Sequence, residues 1–133
     1  MGCNKTEPQE REKVIIITSD GILQFQHKLL TWYGSSARIL PWRDNPSPYR
    51  VWISEIMLQQ TRVEAVKPYF ERFLEEVPTI RDLAVLPEDR LMKLWEGMGY
   101  YSRARNLKKA ACILMEQYHG ELPSDRKELQ ALP

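Results

Sequence analysis

Glu55 sits in the stretch Val51-Trp52-Ile53-Ser54-Glu55-Ile56-Met57-Leu58-Gln59-Gln60-Thr61, a run that reads as a helix. Tyr49, Trp52, Ile53, Ile56, Met57 and Gln60 recur at three- and four-residue steps and define a mostly apolar face. Glu55 lies at the edge of that face, one turn from Trp52 and Gln59, and is expected to be half-buried. A carboxyl in such surroundings can serve as a general acid near neutral pH. Gln59 and Gln60 close the run, and amides can hydrogen-bond base edges or fill a gap in a base stack. Arg103, Arg105, Lys108 and Lys109 cluster further on, and Arg62 could join them. Such a cluster suits phosphate contacts, which orient a duplex without reading its sequence.

The elements that must position these groups are helices. Pro48 suits a first helical position with Ser47 as its N-cap. Ser19 or Asp20 can cap an earlier helix that runs to about Tyr33 and stops at Gly34. Its apolar positions, Ile22, Leu23, Phe25, Leu29, Leu30 and Trp32, surround much of the cylinder, so it wants more than one partner. Ser35 to Ser47 reads as a loop, with Pro41, Pro46 and Asp44-Asn45 turn chemistry. Thr61-Arg62-Val63-Glu64 fits a capping box opening a helix on Val63, Val66, Phe70, Phe73, Leu74 and Val77. Pro68 falls inside it and either kinks it or moves its start toward Lys67. Thr79 can cap a short helix to Leu86, and Pro87 another that buries Leu91, Leu94 and Trp95. Gly97 and Gly99 bracket Met98 in a loop that needs backbone freedom. Ser102 can cap a helix to Tyr118, buried along Leu107, Ala110, Ala111 and Leu114, with Gly120 as its stop. Pro123-Ser124 can start a last helix through Leu129. Val14 to Ile17 is too short to assign, and Met1 to Lys13 is polar and charged. No run alternates convincingly and no repeat appears, so the fold class is all-α, with about seven helices.

The 133 residues are enough for one domain with a core. The net charge of +1 gives no global argument for nucleic acid, so any DNA affinity must come from local clustering. Cys3 and Cys112 form neither a metal-ligand spacing nor a disulfide framework, which fits a reducing compartment. No apolar run approaches membrane-spanning length.

Three motifs in order carry a resemblance. Leu40-Pro41-Trp42-Arg43, Ser54-Glu55-Ile56-Met57-Leu58-Gln59-Gln60-Thr61 and Trp95-Glu96-Gly97-Met98-Gly99-Tyr100-Tyr101-Ser102-Arg103-Ala104-Arg105-Asn106-Leu107 together resemble the adenine DNA glycosylases, the MutY family. The resemblance runs from about Leu40 to Pro133. It implies base excision repair, the hydrolysis of the N-glycosidic bond of adenine mispaired with 8-oxoguanine or guanine in double-stranded DNA. It makes Glu55 the acid, places Gln60 in the stack and makes Tyr100 the wedge beside the opposing purine. It puts Arg38, Leu40, Trp42, Arg43, Leu58 and Val63 around the extruded adenine or its strand, although Trp42 and Leu58 could equally be core. Of the two tyrosines, Tyr101 is expected to be the packed one.

The resemblance also implies a helix-hairpin-helix DNA glycosylase fold. Residues 1–18 would be a disordered or loosely docked tail and 19–34 a helix of the cluster lobe. Residues 35–133 would then be most of the six-helix-barrel lobe. The family's hairpin opens Leu-Pro-Gly-Val-Gly, and this sequence reaches it at Leu132-Pro133. The hairpin, the Asp that stabilises the sugar cation and the four cysteines of the family's [4Fe–4S] cluster would lie beyond. The expectations are a fragment that binds no cluster, is inactive alone, and leaves Phe25, Leu29 and Trp32 with exposed apolar surface. The implied location is the cytoplasm or nucleoid in a bacterium, the nucleus or mitochondrion in a eukaryote. Two rivals stand beside this reading. One is an endonuclease III-like glycosylase, whose equivalent helix carries Ser-Ala-Gln in place of Ser54-Glu55-Ile56-Met57-Leu58-Gln59-Gln60. The other is a non-enzymatic helical domain that binds DNA or a protein partner.

Overall fold

The structure, a computed structural model, describes residues 18–133, so the tail and the run Val14 to Ile17 lie outside the described residues. Among these residues the fold is all-α, with seven helices: α1 Ser19–Ser36, α2 Pro48–Leu58, α3 Val63–Glu76, α4 Ile80–Val85, α5 Glu88–Trp95, α6 Ser102–Gln117 and α7 Arg126–Gln130. The chain divides into two compact units, Met1–Arg38 and Ile39–Pro133. No described helix is long and apolar enough to cross a membrane.

In the first unit α1 is capped by Thr18, whose hydroxyl accepts from the Gly21 amide at 3.2 Å, rather than by Ser19 or Asp20. It also runs past Gly34 to Ser36, because nothing there demands a left-handed residue. None of its residues is buried, and Phe25, Leu29 and Trp32 are exposed as expected.

The second unit builds its core from α2 to α6. α2 packs on α3, α3 and α6 both pack on α5, and α4 packs on α6. Tyr49, Ile53 and Met57 of α2, Phe70 and Phe73 of α3, Trp95 of α5, and Leu107 and Leu114 of α6 are buried together. Ser47 caps α2 as expected, its hydroxyl accepting from the Arg50 amide at 3.2 Å. Thr79 does the same for α4, accepting from Asp82. α3 starts at Val63 and contains Pro68, so its start does not move toward Lys67. Three N-terminal expectations are corrected. Arg62 occupies the α3 cap without a side-chain bond, Tyr101 rather than Ser102 precedes α6, and Asp125 caps α7 by accepting from Lys127 and Glu128.

Tyr49 ties two core elements together. Its hydroxyl donates to the carbonyl of Val77 at 2.8 Å, where α3 ends. Burial, assisted by the negative charge of Asp82, pushes its ionisation well above the usual tyrosine range. A group whose folded pKa is raised stabilises the fold below its unfolded pKa and loses that contribution as pH rises. Stability should therefore fall above about pH 10, the unfolded tyrosine value. Tyr49→Phe should cost about 1 kcal/mol at neutral pH through the lost hydrogen bond and should flatten the alkaline limb. Denaturant midpoints measured from pH 7 to 11 for both proteins check this. Parallel limbs would show that Tyr49 is not the group responsible.

Candidate nucleic-acid interface

A helix leaves its last carbonyls without intrahelical donors, and its C-terminus carries partial negative charge. At the end of α2 those carbonyls face Arg103, from the first turn of α6. Its Nη1 donates toward the carbonyls of Ile56 at 2.8 Å, Met57 at 3.0 Å and Gln59 at 2.5 Å. Its Nη2 donates to the Thr61 hydroxyl and to the carbonyl of Gly99, each at 3.3 Å. The guanidinium carbon lies 5.4 Å from the centre of the Trp95 ring and 5.6 Å from that of Tyr100. Burial lowers its pKa and the Tyr100 hydroxyl opposes the shift, but an arginine keeps its charge at neutral pH. This engagement also accounts for the failed capping box: the Thr61 hydroxyl accepts from Arg103 and donates to the Gln59 carbonyl, and it makes no cap bond to α3.

The second turn, from Gly97 to Tyr101, is held from behind. Trp95 Nε1 donates to the Gly99 carbonyl at 3.1 Å, and the Tyr69 hydroxyl donates to the carbonyl of Glu96 at 3.0 Å. Gly97 has φ +92°, and a Cβ there would lie 2.5 Å from the Tyr69 hydroxyl, so this position requires glycine. Met98 is buried beneath the turn.

Two non-glycine residues at these turns are left-handed, Gln60 with φ 58° and Tyr100 with φ 51°. That conformation is disfavoured for such side chains by about 1–2 kcal/mol each and concentrates where function requires it. Both are exposed, Tyr100 at 60%. With Gln59, Ser102 and Arg103 they line one hollow of about 430 Å³. The structure thus brings together Gln59, Gln60, Thr61, Tyr100 and Arg103. Tyr101 is the better covered of the two tyrosines, although it too is exposed, and its hydroxyl accepts from the Gly97 amide at 3.5 Å.

Other expected members lie elsewhere. Glu55 is exposed, which corrects the expectation of a half-buried carboxyl. The reason is angular: α2 turns Ile53, Ser54 and Met57 into the core, and two residues along a helix is a rotation of about 200°. Glu55, two steps from both Ile53 and Met57, therefore faces outward beside exposed Val51. Leu40 and Trp42 are buried, Trp42 edge-on to Phe70 with ring centres 5.5 Å apart. Core packing accounts for their burial, although Leu40 also lines a surface hollow with Arg43. Leu58 and Val63 are half-buried, whereas Arg38, Arg43 and Arg62 are exposed.

The members of the basic cluster differ in their partners, although Arg105, Lys108 and Lys109 line one hollow. Arg103 caps α2, Arg105 pairs with Glu88 at 3.0 Å, and Lys108 donates to the carbonyls of Ala84 and Leu86 at the end of α4. Only the sequence proximity of these residues suggested a common target. Reasoning from sequence also missed Arg50, which donates to the carbonyls of Pro41 and Asp44 and pins the loop before α2. A usable signal for Arg103 was the absence of glycine after Leu58, which leaves the end of α2 in need of a donor from elsewhere. Among the described residues no three His, Cys, Asp or Glu side chains converge to hold a metal ion, and Cys112 is the one described cysteine.

Residues 53–131, which carry the end of α2, both turns and Arg103, match the model of the HhH-GPD superfamily base excision DNA repair proteins. The chain belongs to this superfamily. The HhH-GPD match is supported by curated relatives. An adenine DNA glycosylase of Buchnera aphidicola subsp. Baizongia pistaciae is 45% identical over 112 residues, covering 84% of this chain and 32% of the relative. The adenine DNA glycosylase of Rattus norvegicus is 39% identical over 119 residues, covering 84% of this chain and 23% of the relative. This HhH-GPD chain thus spans about a third or less of the length of these relatives. Among solved structures, a thermostable thymine-DNA glycosylase superposes with a TM-score of 0.76 at 29% identity, covering 84% of this chain and 52% of that one. A non-covalent endonuclease III–DNA complex gives 0.69 at 25% identity, covering 89% and 54%. The all-α fold and the glycosylase superfamily agree.

Proposed function

We propose that this chain carries the base-extruding and proton-donating parts of an adenine DNA glycosylase acting on double-stranded DNA with adenine opposite 8-oxoguanine or guanine. The observation that carries the reading is the pair of exposed left-handed residues, Gln60 and Tyr100, in one hollow. A base under chemical attack must first leave the duplex, and something must fill the space. An amide and an aromatic face, held out from two braced turns, suit that task.

Glu55 lies one turn before Gln59, about 6 Å along the α2 axis. Its outward direction leaves it open to a base swung out of the stack, which a carboxyl inside the core would not be. The arriving purine and its strand would then cover it, and its proton would pass to the departing adenine. The same carboxyl would next direct water at the cationic sugar. The relatives named adenine DNA glycosylase support adenine as the base.

The test is binding of the 133-residue chain to matched duplexes with adenine opposite 8-oxoguanine, opposite guanine or opposite thymine. Replacing the adenine by 2-aminopurine reports unstacking as fluorescence. The expected outcome is tighter binding of both mispairs, with a fluorescence rise. Tyr100→Ala should weaken mispair binding by about fivefold or more, the usual worth of one base–aromatic stack. Equal affinity for all three duplexes, unchanged by Tyr100→Ala or Gln60→Ala, would refute the reading.

A further inference from the structure

We propose that Arg103 is a positioning residue that couples the Gln60 and Tyr100 turns into a single rigid device. The inference rests on the adenine glycosylase reading for its purpose, and on geometry alone for the coupling. Thr61 and Gly99 lie 38 residues apart in sequence, yet one nitrogen of Arg103 donates to both, each at 3.3 Å. The other nitrogen grips the carbonyls that end α2. One face of the guanidinium lies near Tyr100 itself, and Trp95, also within reach, donates to the same Gly99 carbonyl. The planar fork therefore relates the two inserting side chains to each other and to the helix that bears Glu55. Two left-handed residues would otherwise relax independently, since neither conformation is favoured locally. Arg103 reaches the duplex through Gln60 and Tyr100, so it is not itself a catalytic residue.

Lysine is the informative substitution. It keeps the charge at the end of α2, but a compact ammonium lacks the fork that spans two turns. Arg103→Lys should keep the helical fold and a thermal midpoint close to that of the parent chain. Hydrogen exchange, read without DNA, should quicken by about tenfold or more at the amides of both turns, as expected for the loss of charged hydrogen bonds. Amides within α3 should keep their protection. Preference for mispaired over paired duplex should fall to near one, while affinity for the paired duplex changes by less than about twofold. A role confined to stability would instead lower the midpoint and weaken both duplexes alike.

Arg103→Ala with added guanidinium ion offers a second arm, in which the free ion should restore part of the lost protection. Thr61→Val is a third and removes only one of the contacts. Unchanged exchange in either turn, or full mispair preference in Arg103→Lys, overturns the proposal. If the parent chain shows no mispair preference, the adenine glycosylase reading falls, and exchange alone decides whether Arg103 couples the turns.

Discussion

On the proposed reading, Glu55→Gln is expected to cut adenine excision sharply while leaving the fold and the binding of the mispair intact. The expected loss is at least about a hundredfold in single-turnover rate, the usual contribution of a positioned general acid. The preparation that shows it is this chain joined to the further length that its curated relatives carry. Glutamine preserves the shape of the side chain and cannot hand over a proton. Glu55 is exposed on α2, and among the described residues its side chain makes none of the hydrogen bonds or ion pairs that hold the second unit together. Its replacement should therefore move the unfolding midpoint by no more than a surface change does, within about 0.5 kcal/mol. A variant that excised adenine within a few-fold of the parent rate would remove Glu55 from the chemistry, whatever its effect on binding. The separation of rate from stability is what makes the result interpretable, and the outward direction of Glu55 provides it.

Trp95→Ala is expected to bring the chain close to unfolding. The side chain is fully buried and meets Phe73 edge-on, with ring centres 6.3 Å apart. Truncating such a residue typically costs about 3–5 kcal/mol, a large share of the roughly 5–15 kcal/mol that holds a domain together. Two further consequences follow from position. The Gly99 carbonyl loses the indole N–H, and the guanidinium of Arg103 loses the ring near it. The Tyr100 turn should loosen even in molecules that remain folded. Trp32→Ala is the matched control. Trp32 is 59% exposed on α1, so its truncation should change stability by about 0.5 kcal/mol or less. Thermal and denaturant unfolding of the three proteins checks both statements, and similar losses for the two tryptophans would contradict them.

What could be read without coordinates was local. The three- and four-residue spacing of Tyr49, Ile53 and Met57 marked the buried side of α2, and Ser47-Pro48 and Thr79 marked two helix starts. The all-α class and the glycosylase resemblance came from the same short stretches, because period, caps and motifs all act within a few residues of chain. The same spacing put Glu55 at the edge of that face, and only the structure showed it to be exposed. Tertiary structure alone decided the rest. Leu40 and Trp42 were drawn into the core by Phe70 and its neighbours. Arg103, Arg105 and Lys108 went to three unrelated partners, since a long cationic side chain is captured by whichever carbonyls or carboxylate folding brings within its reach. Gln60 and Tyr100 became left-handed without being glycine because contacts from distant parts of the chain hold their turns there. No rule confined to neighbours in sequence contains those contacts.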